Sequence, residues 1–240
     1  MEEILFIGNN KYDGISNSTI EECFDYLSSQ MEVGIDIETS RKYPIGTYPD
    51  SKKEDIYKAG LDPYLSKIIM LQLGTPEKIF VIDTRVVDIS KLIPLFDSKD
   101  RVWVGQNLKF EAKHLRLNYG INFHKIWDVM LVEQNLTNGL DLGYSLAKIS
   151  ERYLGVKNIE DIDLFNQDDF EDENLDKSIR LGFVNIGDTP FSREQITYGA
   201  GDIRYPLKIR KEQEKGKNGY NPVVVNELEN DFCLVLADSS

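Results

Sequence analysis

From Val33 to Glu38 the chain alternates. Val33, Ile35 and Ile37 take one set of positions, and Gly34, Asp36 and Glu38 take the other. A period of two is the mark of a β-strand, whose successive side chains point to opposite faces. The strand therefore carries β-branched residues on one face and two carboxylates on the other. Two carboxylates side by side on an otherwise apolar strand are costly unless something positive neutralises them. A divalent cation with oxygen ligands would do so. An exposed face, or lysines contributed from elsewhere, would serve as well. If a metal is bound, its remaining ligands must lie in other parts of the chain.

With 240 residues the chain can form one large domain or two small ones. Its hydrophobic content of 41% is enough for a proper core. A net charge of −13 argues against a protein that coats nucleic acid, which is normally basic. It leaves room for an enzyme whose acidic groups hold cations that then meet phosphates. Cys23 and Cys233 lie far apart without metal-type spacing, so both are expected to be reduced and structural. The start, Met1-Glu2-Glu3, lacks the basic region of a signal peptide, and no apolar run approaches a membrane span. The expectation is a soluble, cytoplasmic protein with no membrane partner.

Ile4-Leu5-Phe6-Ile7 reads as a short strand ended by Gly8-Asn9-Asn10. Ser18 and Thr19, followed by Glu21 and Glu22, form a capping-box start to a helix through Phe24 and Leu27. Residues 40–58 hold two prolines, four lysines, one arginine and three tyrosines with no period, and read as a long inserted loop. Two strands follow, Lys67–Leu73 and Lys78–Asp83, joined by Gly74-Thr75-Pro76-Glu77. With 32–39 they make an antiparallel meander. A helix is expected over 88–97 and a buried strand over Arg101–Gly105. Helical periodicity then runs to Leu154, punctuated by Gly120, Gly139 and Gly155. Strands first, then alternation with helices, give an α/β domain with a mixed sheet. The segment 160–176 carries nine acidic residues without calcium-loop spacing and reads as a solvated loop. One long helix is expected from Ser192 through Ile209 to the Gly216–Gly219 turn. A last amphipathic helix is expected over 223–236, through Val225, Leu228, Phe232 and Val235.

Two stretches could supply further ligands. In Gly105-Gln106-Asn107-Leu108-Lys109-Phe110-Glu111, Glu111 comes one turn after Asn107, which puts both on one face at the start of a helix. The helix dipole favours a carboxylate there. In Tyr198-Gly199-Ala200-Gly201-Asp202, the tyrosine and aspartate are four apart and share a helix face. Gly199 and Gly201 each cost about 1 kcal/mol inside a helix. Close approach of a substrate or another backbone could compensate; core packing is the alternative. His114 and His124 have no partners in a zinc motif and read as surface histidines, although His114 lies one turn beyond Glu111.

Asp36-x-Glu38, Asn107-x-x-Phe110-Glu111 and Tyr198-x-x-x-Asp202, in that order, resemble the three-motif signature of the DEDD 3′–5′ exonucleases, in the tyrosine branch. The histidine branch would place a histidine where this chain has Thr197. Val104–Phe110, Asn118–Ile121, Asp128–Leu131 and Leu146–Gly155 are similar to the proofreading domain of family A DNA polymerases. The resemblance spans roughly residues 31–212. It departs at Glu111, where the family usually has aspartate; the charge survives on a side chain one methylene longer.

The resemblance implies an α/β, ribonuclease H-like mixed sheet with an antiparallel meander flanked by helices. It implies an exonuclease domain over 1–215, with the insertion at 40–58, and the start of a following region over 216–240, such as a polymerase domain. The activity implied is hydrolysis from single-stranded DNA 3′ ends, in proofreading for a polymerase domain or subunit. Two divalent ions, Mg²⁺ or Mn²⁺, would activate water and stabilise the leaving 3′ oxygen. By resemblance, Asp36 bridges both ions, Glu38 and Asp202 complete the first site, and Glu111 serves the second. Tyr198 orients the attacking water. Thr39 and Asn107 contact the terminal nucleotide. Tyr43, Tyr48 and Tyr57, with Arg41, Lys42, Lys52, Lys53 and Lys58, make the insertion either a strand-holding flap or a variable surface loop. Two other functions stand beside this one. One is ribonuclease D-like trimming of RNA 3′ ends, which uses the same motifs. The other is an inactive scaffold domain, against which the four retained carboxylates argue.

Overall fold

The computed structural model describes residues 3–43, 58–137, 140, 142–156 and 182–216. Its centre is a seven-stranded mixed sheet. In chain order the strands are β1 (Glu3–Ile7), β2 (Ser16–Asn17), β3 (Glu32–Arg41), β4 (Ser66–Gly74), β5 (Lys78–Asp83), β6 (Val102–Gly105) and β7 (Ile126–Asp128). Across the sheet they run β2-β1-β5-β4-β3-β6-β7. β3, β4 and β5 form the antiparallel meander, and β6 and β7 extend it in parallel beside β3.

The alternation of β3 sorts the two layers. Val33, Ile35 and Ile37 join a core with Leu71, Leu73 and Phe80, covered by helix α1 (Ile20–Ser28), helix α2 (Ile93–Phe96) and helix α3 (Lys109–Tyr119). On the opposite face, Met70, Ile79 and Val81 pack against Ile196, Ala200 and Ile203 of helix α6 (Arg193–Arg204). A third cluster joins Val102, Val104 and Trp127 to helix α4 (Val129–Leu136), helix α5 (Leu146–Leu154) and helix α7 (Pro206–Gln213). Gly34 lets α6 come down onto β3: a Cβ there would stand 2.9 Å from Ile203 Cγ2. The capping box of α1 forms on Thr19 and Glu22.

Several elements differ from the expectation. Ser40 and Arg41 belong to β3, and residues 58–61 are helical, so the expected loop is shorter at both ends; 44–57 lie outside the described residues. The helix expected over 88–97 is a 3₁₀ turn, Ser90–Leu92, followed by the four-residue α2 with Pro94 in its first turn. Arg101 precedes β6. Its buried guanidinium donates to the Leu27, Ser28, Gln30 and Leu95 carbonyls and so closes the end of α1. The expected single helix from Ser192 breaks at Tyr205, and Pro206 opens α7, since a proline has no N–H to continue the ladder. β2 and β7 were not expected; two and three residues are too few to show a period. The acidic segment 160–176, the helix over 223–236 and Cys233 lie outside the described residues. Cys23 is buried, which pushes its thiol up to about 12 and leaves it unreactive. Among the described residues, no helix is long and apolar enough to cross a membrane.

Candidate active site

Asp36 and Glu38 stand on the α6 side of β3, both half-buried. Beyond Glu38 the pairing with β4 slips by one residue, and this bulge re-aims the end of the strand. Helix α6 crosses the same face. It is capped by Ser192, whose hydroxyl accepts from the Gln195 N–H while Gln195 accepts from the Ser192 N–H. The approach to that cap is clamped twice. Arg85 forms a bidentate pair with Asp83 and donates to the Gly187 and Thr189 carbonyls. The Tyr12 hydroxyl donates to the Phe191 carbonyl at 2.8 Å. Neither residue carried a local signal in the sequence.

This framework delivers Asp202 to the strand. Asp36, Glu38 and Asp202 each offer a carboxylate oxygen, and the three lie within 4.8 Å of one another. Tyr198 lies one turn before Asp202 on α6, half-buried, with its ring 6.1 Å from that of Phe183. Gly199 faces the sheet: a Cβ there would meet Gln72 Nε2 at 2.5 Å and Met70 Sδ at 3.0 Å. Packing against these side chains, rather than an approaching backbone, accounts for this glycine. A Cβ on Gly201 would meet nothing within 4 Å among the described residues, so no contact there requires that glycine.

Glu111 stands beside this group but outside the 4.8 Å cluster. It is the third residue of α3, it is 3% exposed, and its Oε2 has no hydrogen-bond partner among the described residues. Burial, and then the nearby Asp36 carboxylate, push its carboxyl well above the usual range; Asp128 and Glu38 add to this. Asn107 does not share the helix face with Glu111, because α3 starts two residues later. Asn107 sits in the preceding turn at φ 57°, a left-handed conformation that asparagine tolerates better than most residues. The turn is held by Asp128, which is 1% exposed. Its carboxylate accepts from the backbone N–H groups of Asn107 (3.0 Å), Leu108 (2.8 Å), Met130 (2.9 Å) and Leu131 (3.4 Å). One side chain thus caps α4 and fixes the loop that aims Glu111. An aspartate before the apolar run Val129–Leu131 is an N-cap signal that sequence reading could have used.

Thr39 is buried and donates its hydroxyl to the Gly60 carbonyl at 2.6 Å, so the fold already uses that group. His114 is not a surface residue. It is fully buried, with Nδ1 2.9 Å from the Phe110 carbonyl and Nε2 3.0 Å from the Ser66 hydroxyl, and burial lowers its pKa. It ties α3 to β4. His124 is exposed. Tyr43 is half-exposed at the end of β3; Tyr48 and Tyr57 lie outside the described residues.

The donor set is all oxygen, which suits a hard divalent cation such as Mg²⁺ or Mn²⁺. The buried, unpartnered Glu111 oxygen fits the same reading, because a nearby cation would relieve its charge. The metal-free protein should show the cost. A carboxyl whose pKa is raised by folding binds more protons folded than unfolded between its two pKa values, so stability falls as pH rises through that window. In chelator, the contribution of Glu111 to wild-type stability should fall from pH 4.5, its ordinary value, upward. Thermal melts of Glu111→Gln should show a gap over wild type that widens with pH. Parallel curves would contradict this.

A model of the 3′–5′ exonuclease family matches residues 55–215. No curated protein matches the sequence. Among solved structures, NrnC of Brucella melitensis bound to pGG superposes with a TM-score of 0.66 at 14% identity, covering 99% of this chain and 93% of that one. The same protein with bound Mg²⁺ gives 0.65 at 14% identity, covering 99% and 92%. The RNase D of Trypanosoma brucei in complex with RNA U12 gives 0.63 at 13% identity, covering 89% of this chain and 66% of that one. At these identities the likeness establishes the fold, a ribonuclease H-like α/β arrangement.

Proposed function

The chain belongs to the 3′–5′ exonuclease family, and on that premise we propose that it hydrolyses nucleotides from the 3′ end of single-stranded nucleic acid with two divalent metal ions, Mg²⁺ or Mn²⁺. The observation that carries this reading is the convergence of Asp36, Glu38 and Asp202 from a strand and a helix far apart in sequence. Ions held by these three carboxylates and Glu111 would polarise the phosphodiester and lower the pKa of the attacking water. The chain does the positioning. Asp36 and Glu38 are fixed on β3, between β4 and β6, and Asp202 is fixed by the clamped helix α6. Tyr198, one turn before Asp202, donates its hydroxyl hydrogen to the attacking water. Asn107, exposed on its Asp128-held turn, meets the terminal nucleotide. Thr39 supports this edge through Gly60.

The sequence resemblance favours DNA and a proofreading role beside a polymerase domain or subunit. RNA is a second reading, favoured by the solved structure of similar fold in complex with RNA U12. A 5′-labelled single-stranded DNA and an RNA of the same sequence, offered together with Mg²⁺ or Mn²⁺, separate the two. Faster shortening of the DNA from its 3′ end supports proofreading, and faster shortening of the RNA supports trimming. No products from either substrate with either metal would overturn the proposal.

A further inference from the structure

Gln72 lies in the middle of β4, directly across from Asp36 in the antiparallel pair with β3. It is completely buried. Neither its amide nitrogen nor its amide oxygen has a hydrogen-bond partner among the described residues. A buried amide without partners costs stability, and native proteins rarely keep one without a reason. Its surroundings carry a second cost. A Cβ on residue 199 would stand 2.5 Å from the amide nitrogen, and α6 carries a glycine at that point, so the amide keeps its place. A glycine inside a helix also costs stability. Two unfavourable choices therefore meet at one spot. Asp36 lies across the strand from it, and Asp202 lies one turn further along the helix. Local rules broken together are expected at functional sites.

We propose that Gln72 is a positioning residue for the metal-binding carboxylates, its amide donating to a carboxylate of the Asp36–Glu38–Asp202 group when a divalent ion is bound. This rests on the reading of that group as a metal site. Ion binding requires the carboxylates to turn their oxygens inward, and groups that hydrogen-bond to ligands from behind fix such orientations. A donor on the buried side of the site has no competing water, and no group among the described residues already holds the amide. An apolar residue of the same length would pack as well but could not hold a carboxylate.

Mn²⁺ titration by calorimetry, with thermal melts in chelator, on wild type, Asp36→Ala and Gln72→Met tests this. Wild type should bind Mn²⁺, and Asp36→Ala should lose binding. Gln72→Met should bind about tenfold or more weakly, the range for partners that orient metal ligands. In chelator it should melt no lower than wild type, because both unpartnered atoms are gone. Unchanged affinity in Gln72→Met would overturn the proposal while leaving the metal site intact. Absence of Mn²⁺ binding by wild type would overturn both. Gln72→Leu, titrated in parallel, should show the same weakened affinity; if neither variant folds, the amide is structural and the proposal is overturned.

Discussion

Asp36→Ala should lose 3′ shortening of a single-stranded oligonucleotide by at least about 10³-fold in kcat while keeping its fold. The size follows from the chemistry. Charge stabilisation by an active-site metal is worth several kcal/mol, and about 4 kcal/mol corresponds to about 10³ in rate. Asp36 is one of three carboxylates whose oxygens lie within 4.8 Å of one another, on the same face of β3 as Glu38. Without it, only Glu38 and Asp202 remain of the clustered three, with Glu111 standing apart, a poor cage for one ion, let alone two. Stability should move the other way. Three carboxylate oxygens within 4.8 Å repel one another in metal-free protein, so removing one should leave the melting temperature in chelator at or above that of wild type. Loss of activity with a lowered melting temperature would instead mark Asp36 as structural. Activity near the wild-type level would remove it from the chemistry altogether.

The second large effect is on stability. Asp128→Ala should destabilise the protein by about 3 kcal/mol. Loss of a helix cap costs about 1 kcal/mol. Leaving the Asn107 and Leu108 N–H groups without their acceptor adds about 1–3 kcal/mol for each that stays buried. For a chain of this size that is a fall of roughly 6–12 °C in melting temperature. Asp128→Asn, which keeps an acceptor oxygen, should lose less. The same change frees the turn before α3, so Asp128→Ala should also raise the metal concentration needed for half-maximal rate. A melting temperature within 2 °C of wild type, read by calorimetry as roughly 1 kcal/mol or less, would contradict the role assigned to this carboxylate.

What could be read from the sequence, and what could not, divides along physical lines. The alternation of Val33–Glu38 marks a strand with its carboxylates on one face, because a strand's period is short enough to show in six residues. Tyr198 and Asp202 fall on one helix face by the same logic. That Asp36 and Asp202 meet depends on tertiary packing, which no local period reports; only the order of the three motifs pointed there. β7 is three buried residues, too short for any pattern. Gln72 was hidden in the apolar run Lys67–Leu73, where periodicity records only that the strand is buried on both faces. Residue type alone points His114 to the surface, although Ala112 and Leu115 beside it mark that side of the helix as core. The break at Tyr205 has its signal in Pro206, which is masked by the apolar spacing that continues through it.

The central claim is that Asp36, Glu38 and Asp202 hold a divalent cation. Crystals soaked in Mn²⁺, with anomalous diffraction recorded, test it most directly. An anomalous peak within about 2.0–2.2 Å of oxygens from all three carboxylates, absent from Asp36→Ala crystals under the same soak, is the expected result. Wild-type crystals saturated with Mn²⁺ that show no peak there, or a peak only at other acidic residues, would contradict it.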